Sequence, residues 1–156
     1  MEAVPKYAQS LVEQTEEYVF CKVINKVITT YDGVIDFAIA NGEDWQRGIS
    51  HVMSDNHTGE KLLTIEKNQR FLDRVVSLPC MTLDTLLIEN EISNIDFLKL
   101  DIEGHEADVL YSYSWKVKPS IIKLEHSHID DVKMRTFLES LGYMVYVERS
   151  DIYGII

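Results

Sequence analysis

The sequence predicts an α/β fold: a mostly parallel sheet with an antiparallel strand at its C-terminal end, in one domain covering residues 1–156. Three observations predict it. Two short apolar runs end in acids, Phe97–Leu100 before Asp101 and Ser120–Glu125 at Glu125 itself, and each leads through a turn into a helical pattern. Strand and helix signals alternate through the second half, which is how parallel strands with right-handed crossovers are written in sequence. The length of 156 residues is enough to bury a real core.

Taken in order, Val4, Tyr7, Ala8, Leu11 and Val12 recur at helical spacing, so Pro5 to about Gln14 reads as a helix with proline in its first turn. Tyr18–Ile28 is rich in Val, Ile and Phe and reads as a strand or two. Thr30-Tyr31-Asp32-Gly33 is a hairpin turn signal, with Val34–Ala40 as the return strand and Ile35, Phe37 and Ile39 on one face. Asn41 to about Gly59 is polar and reads as a long loop carrying Trp45, His51 and His57; loops of that length tend to be functional or mobile. Lys61–Ile65 and Arg74–Leu78 are candidate strands. Thr82 can cap a helix whose buried face is Leu83, Leu86 and Leu87. A helix from about His105 to Tyr113 follows the strand ending at Asp101. Asp130 can cap a helix with Met134, Phe137, Leu138 and Leu141 inward, closed by Gly142. Tyr143–Glu148 and Ile152–Ile156 read as antiparallel strands joined by the polar turn Arg149–Asp151.

The net charge of −11 argues against nucleic acid, whose phosphates need Lys and Arg. No stretch approaches the roughly 20 apolar residues that span a bilayer, and the N-terminus lacks the pattern of a signal peptide. Cys21 and Cys80 read as buried thiols of a cytoplasmic protein rather than a disulfide, and no Cys-x-x-Cys spacing suggests zinc.

In an open α/β sheet, ligands sit beyond the carboxyl ends of the strands. Neighbouring strands would place Asp101 and Glu125 at the same edge. His126 and His128 alternate after Glu125 and would share a face if extended.

Thr82-Leu83-Asp84, the block Ile95–Glu106 with its core Lys-Leu-Asp-Ile-Glu-Gly-His-Glu, and Val109-Leu110 resemble the signature of the FkbM-type S-adenosylmethionine-dependent methyltransferases. The resemblance runs from about Glu2 to about Glu148 and is strongest over Val76–Glu125. It implies a Rossmann-like class I methyltransferase fold, S-adenosylmethionine as cofactor, and O-methylation of a hydroxyl on a glycan or small secondary metabolite. Glu2, in Glu2-Ala3-Val4-Pro5, resembles the acid that ends the family's second strand and binds the ribose hydroxyls. Val27 and Ile28, before Asp32-Gly33, resemble the segment beside the adenine.

The chain also departs from the family pattern. The first strand, the glycine-rich loop, the first helix and most of the second strand have no counterpart, and none of the seven glycines forms a G-x-G-x-x-G pattern. The chain resembles a member lacking its front end, so poor cofactor binding and marginal stability are expected. In that fold the first strand is central, between the second and the fourth. The strand ending at Asp101 is therefore expected to keep an open edge, to be filled by Tyr18–Ile28 or by a partner, with self-association as a consequence.

Methyl transfer to oxygen is an in-line displacement that benefits from a base on the acceptor hydroxyl. Asp101, Glu103 and Glu125 are the candidate catalytic residues. Asp101 would act as base, as acceptor orienter or as partner of the sulfonium; the bland alternative is a cap on the next helix. Glu103 would line the pocket or, with Glu106, serve helix electrostatics. Glu125 would face the crevice or simply be a solvated strand end, and His105 reads as a surface or capping residue. His51 and His57 read as exposed, and Trp45 and Met53 as loop anchors or an acceptor-pocket lining. Two rival functions stand beside the methyltransferase: a non-catalytic interaction module, and a metal-dependent hydrolase using Asp101, Glu125 and His126 or His128.

Overall fold

The computed structural model describes residues 1–40, 50–53 and 72–156. Helix α1, Pro5–Thr15, begins with proline in its first turn and buries Ala8. Its entry is held by the Glu2 carboxylate, which accepts the Val4 N–H at 2.7 Å. The Asn25 amide donates to the Glu2 and Ala3 carbonyls at 2.8 and 2.9 Å.

The first sheet is built from β1 (Val27–Ile28), β2 (Gly33–Ala40), β3 (His51–Val52) and β4 (Leu72–Met81), in the order β1-β4-β2-β3. Tyr18–Ile28 supplies only the two strand residues of β1. The turn at Thr30–Gly33 does not make a hairpin between β1 and β2. β4 lies between them, parallel to β1 (Val27↔Cys80) and antiparallel to β2 (Gly33↔Cys80 to Ala40↔Leu72). Asp32 turns the chain over the end of β4 instead, because its carboxylate accepts the Thr82 N–H at 2.8 Å and the Thr85 hydroxyl at 2.7 Å. Ile35, Phe37 and Ile39 share a buried face as their alternation predicts, with Ala38 and Ala40 buried as well. Part of the expected long loop is strand: His51 and Val52 pair with β2 and are buried. The expectations for Trp45, His57 and Lys61–Ile65 lie outside the described residues.

Helix α2, Leu83–Glu89, is capped by the Thr82 side chain, which accepts the Thr85 N–H, and buries Leu83 and Leu87. The second sheet contains β5 (Phe97–Leu100), β6 (Ile121–Glu125), β7 (Met144–Glu148) and β8 (Asp151–Ile155), in the order β5-β6-β8-β7. Helix α3, Glu106–Ser112, joins β5 to β6. That crossover makes β5 and β6 parallel, whereas β8 is antiparallel to both β6 and β7. Helix α4, Asp131–Ser140, is capped by Asp130 and buries Met134 and Leu138. Gly142 follows it at φ +97, a left-handed turn that suits glycine.

The expected mostly parallel sheet is thus corrected, among the described residues, to two mixed four-stranded sheets. The parallel pairs are β1·β4 and β5·β6; short turns and the β2–β4 return make the remaining pairs antiparallel. Among the described residues β5 is an edge strand, with Phe97 54% exposed. Tyr18–Ile28 does not fill that edge, because Val27 and Ile28 pair with β4. One apolar cluster bridges the two sheets, with Ile28, Met81 and Leu83 packed with Leu100, Ile122 and Met134. A smaller one packs Val4 on Phe37, Val52 and Leu78. Of the two free cysteines Cys80 is buried, and Cys21 is exposed, contrary to its apolar sequence context. No helix among the described residues is long and apolar enough to cross a membrane.

Candidate active site

Parallel pairing of β5 with β6 sets Leu100 opposite Leu124. The following residues, Asp101 and Glu125, therefore emerge at neighbouring positions on one rim. Asp101 is ion-paired with Lys99 at 2.9 Å. It does not cap α3, whose N-cap residue is His105 and whose start carries no side-chain cap; Glu106, buried, instead accepts the N–H of Ile102 in the preceding turn at 2.7 Å.

Glu103 holds a left-handed backbone, φ 54, in the turn before Gly104. Burial first, then the charges of Glu125, Asp101 and Glu106, push its carboxyl up to a pKa of about 7. Glu103 Oε2 lies 3.8 Å from His128 Nε2. Ligating atoms of Glu103, Glu125 and His128 all come within 4.8 Å of one another.

The metal-ligating set expected from sequence therefore changes: Glu103 stands where Asp101 was expected, and His128 alone joins it. His126 turns away to the Arg149 carbonyl at 3.0 Å, because residues 127 and 128 form a turn rather than a strand. The signal for His128 was its spacing three residues beyond Glu125, which a turn folds back over the strand end.

A cavity of about 340 Å³ opens on this rim, lined among others by Glu2, Val27, Ile28, Phe37, Asp101 and Glu103. Glu2, Val27 and Ile28 come from the N-terminal segment and first sheet; Asp101 and Glu103 follow β5. The shared apolar core brings the two groups together. Glu125 does not line this cavity and meets it only through Glu103.

A second cavity of about 670 Å³ is lined by Thr29, Tyr31, Asp36, Met53, His105 and Asp108, among others, and by no Lys or Arg among the described residues. Sequence reasoning missed its centre. His105 is 5% exposed rather than a surface residue. Its Nε2 is 3.0 Å from Thr29 Oγ1 and its Nδ1 3.0 Å from Asp108 Oδ2. Asp108, three residues beyond His105 on a helix start, was the readable half of this contact. Thr29 was not readable, since it comes from the far side of the chain. Met53 lines the cavity, while His51 is 5% exposed in β3 instead of standing in solvent.

A family model described as the Methyltransferase FkbM domain matches residues 1–145 of the chain. No curated protein and no solved structure gives a match.

Proposed function

Because the chain belongs to the FkbM methyltransferase domain family, we propose that it moves the methyl group of S-adenosylmethionine onto a hydroxyl oxygen of a glycan or small secondary metabolite. One observation carries the reading. Glu2, Val27 and Ile28, the candidates for the cofactor, and Asp101 and Glu103, the candidates for chemistry, line the same cavity of about 340 Å³. That volume lies in the ordinary range for small-molecule sites.

The residues present suit the cofactor. Glu2 is an acid lining the cavity that would accept ribose hydroxyls with the oxygen not engaged by the Val4 N–H. Val27, Ile28 and Phe37 give an apolar wall for a purine. Asp101 and Glu103 supply negative charge where a sulfonium is favoured. When bound, S-adenosylmethionine supplies an electrophilic methyl group and leaves as the neutral thioether.

The chain's own part is to align the acceptor and to manage one proton. Glu103 is the group we assign to receive the acceptor's hydroxyl proton, since a carboxyl titrating near 7 is partly ionised at neutral pH and still basic enough to take it. Asp101, fixed by Lys99, orients the hydroxyl.

Calorimetric titration of the chain with S-adenosylhomocysteine tests this. Saturable binding weakened by Glu2→Ala is expected. No saturable binding up to millimolar ligand, from a chain with a folded spectrum, would overturn it and leave the interaction-module reading.

A further inference from the structure

Acidic neighbours at the rim are not all balanced alike. Asp101 has Lys99 at 2.9 Å, and Asp151, which sits opposite Glu125 in the β6–β8 ladder, has Lys123 at 2.8 Å. Glu103 and Glu125 have no Lys or Arg within ion-pair distance among the described residues. Glu125 accepts the Ser127 hydroxyl at 2.9 Å, and Glu103 faces His128 at 3.8 Å, a distance too long for a hydrogen bond. Two half-buried carboxylates and one imidazole thus converge without a fixed positive charge between them.

We propose that Glu103, Glu125 and His128 form a divalent-cation site at the rim of the methyl-transfer crevice. Atoms bound to one transition-metal ion at roughly 2.0–2.2 Å stand roughly 3–4 Å from each other. The 3.8 Å separation of Glu103 Oε2 and His128 Nε2 falls in that range, and the whole set lies within 4.8 Å. Two carboxylate oxygens with one imidazole nitrogen suit manganese or zinc better than magnesium or calcium, which prefer oxygen alone.

Three protein ligands leave positions open to water or an acceptor oxygen. A hydroxyl held there is acidified directly and would release its proton to solvent water, so with the cation bound Glu103 would serve as a ligand and no longer be needed as the base. This role rests on the methyltransferase reading; the site itself does not.

The test uses the full chain without cofactor, titrated with Mn²⁺ and followed by electron paramagnetic resonance, with Zn²⁺ as competitor. Saturable binding is expected, with nitrogen coupling from the imidazole in the pulsed spectrum. Affinity should fall about tenfold or more in His128→Ala and in Glu125→Gln, each checked for folding by circular dichroism. Absence of saturable binding, bound Mn²⁺ without nitrogen coupling, or unchanged affinity in a folded variant would each overturn the site. If both variants unfold, the wild-type nitrogen coupling decides. Metal binding without any S-adenosylhomocysteine binding would sink the methyltransferase reading and spare this one; the reverse result would do the opposite.

Discussion

Glu103 Oε2 and His128 Nε2 face each other at 3.8 Å across the turn that follows β5, each side chain about a quarter exposed. The contact joins two loops that leave adjacent parallel strands, and it gives Glu103 too little positive charge to offset its burial.

The first prediction follows from that imbalance. The Glu103 carboxyl is raised from 4.5 to about 7 by burial and by Glu125, Asp101 and Glu106. A raised value means the folded chain holds the proton more tightly than the unfolded one. Its contribution to stability is therefore complete below the unfolded value and is lost as pH climbs through about 7. Glu103→Gln should add on the order of 1–2 kcal/mol at alkaline pH, after discounting for partial exposure, and little in acid. Urea melts of both proteins across this pH range measure it; parallel stability curves would refute the assignment.

His105 offers a second test. Replacing it with Ala strips Thr29, 1% exposed, of its hydroxyl partner and opens a hole beside α3. We expect a loss of about 2–3 kcal/mol. Adding Thr29→Val should return part of it, because the stranded hydroxyl goes too. A double-mutant cycle showing no coupling would contradict the contact.

Packing at Gly154 gives a third. A Cβ there would meet Tyr143 Cδ1 at 3.1 Å. Tyr143 cannot yield easily, being 4% exposed with its hydroxyl donated to the Pro119 carbonyl at 2.7 Å. Gly154→Ala should cost about 1–3 kcal/mol, read from denaturant midpoints. A neutral result would mean the ring has room to move.

The N-terminus of α2 supplies the fourth. Thr82→Ala removes a cap worth about 1 kcal/mol. Asp32 is held below its usual carboxyl value by the Thr82 N–H and then by the Thr85 hydroxyl. A lowered value stabilises above the unfolded value of 3.8 and is lost as pH falls through the folded one. The destabilisation from Asp32→Ala at neutral pH should therefore shrink on acidification below 3.8; a constant difference would argue against the hydrogen bonds.

The sequence by itself determined the local elements. Period and caps located α1, α2, α3 and α4, and β2, β5, β6, β7 and β8 to within a residue or two. The Lys99–Glu106 block pointed to the family, and parallel pairing of β5 with β6 followed from one intervening helix, so the Asp101–Glu125 rim was legible as well. These features depend on spacing within a few turns of chain, which side-chain periodicity reports directly. Tertiary structure alone decided which strands are neighbours in the first sheet. Gly33 pairs with Cys80 rather than with the strand just before it, splitting the sheet in two. It alone chose His128 over His126, buried His105 against Thr29, and drew Glu2, Val27 and Ile28 to one cavity with Asp101 and Glu103. Those contacts join segments far apart in the chain. Burial of the shared core selects them, and no local pattern records where that core will close.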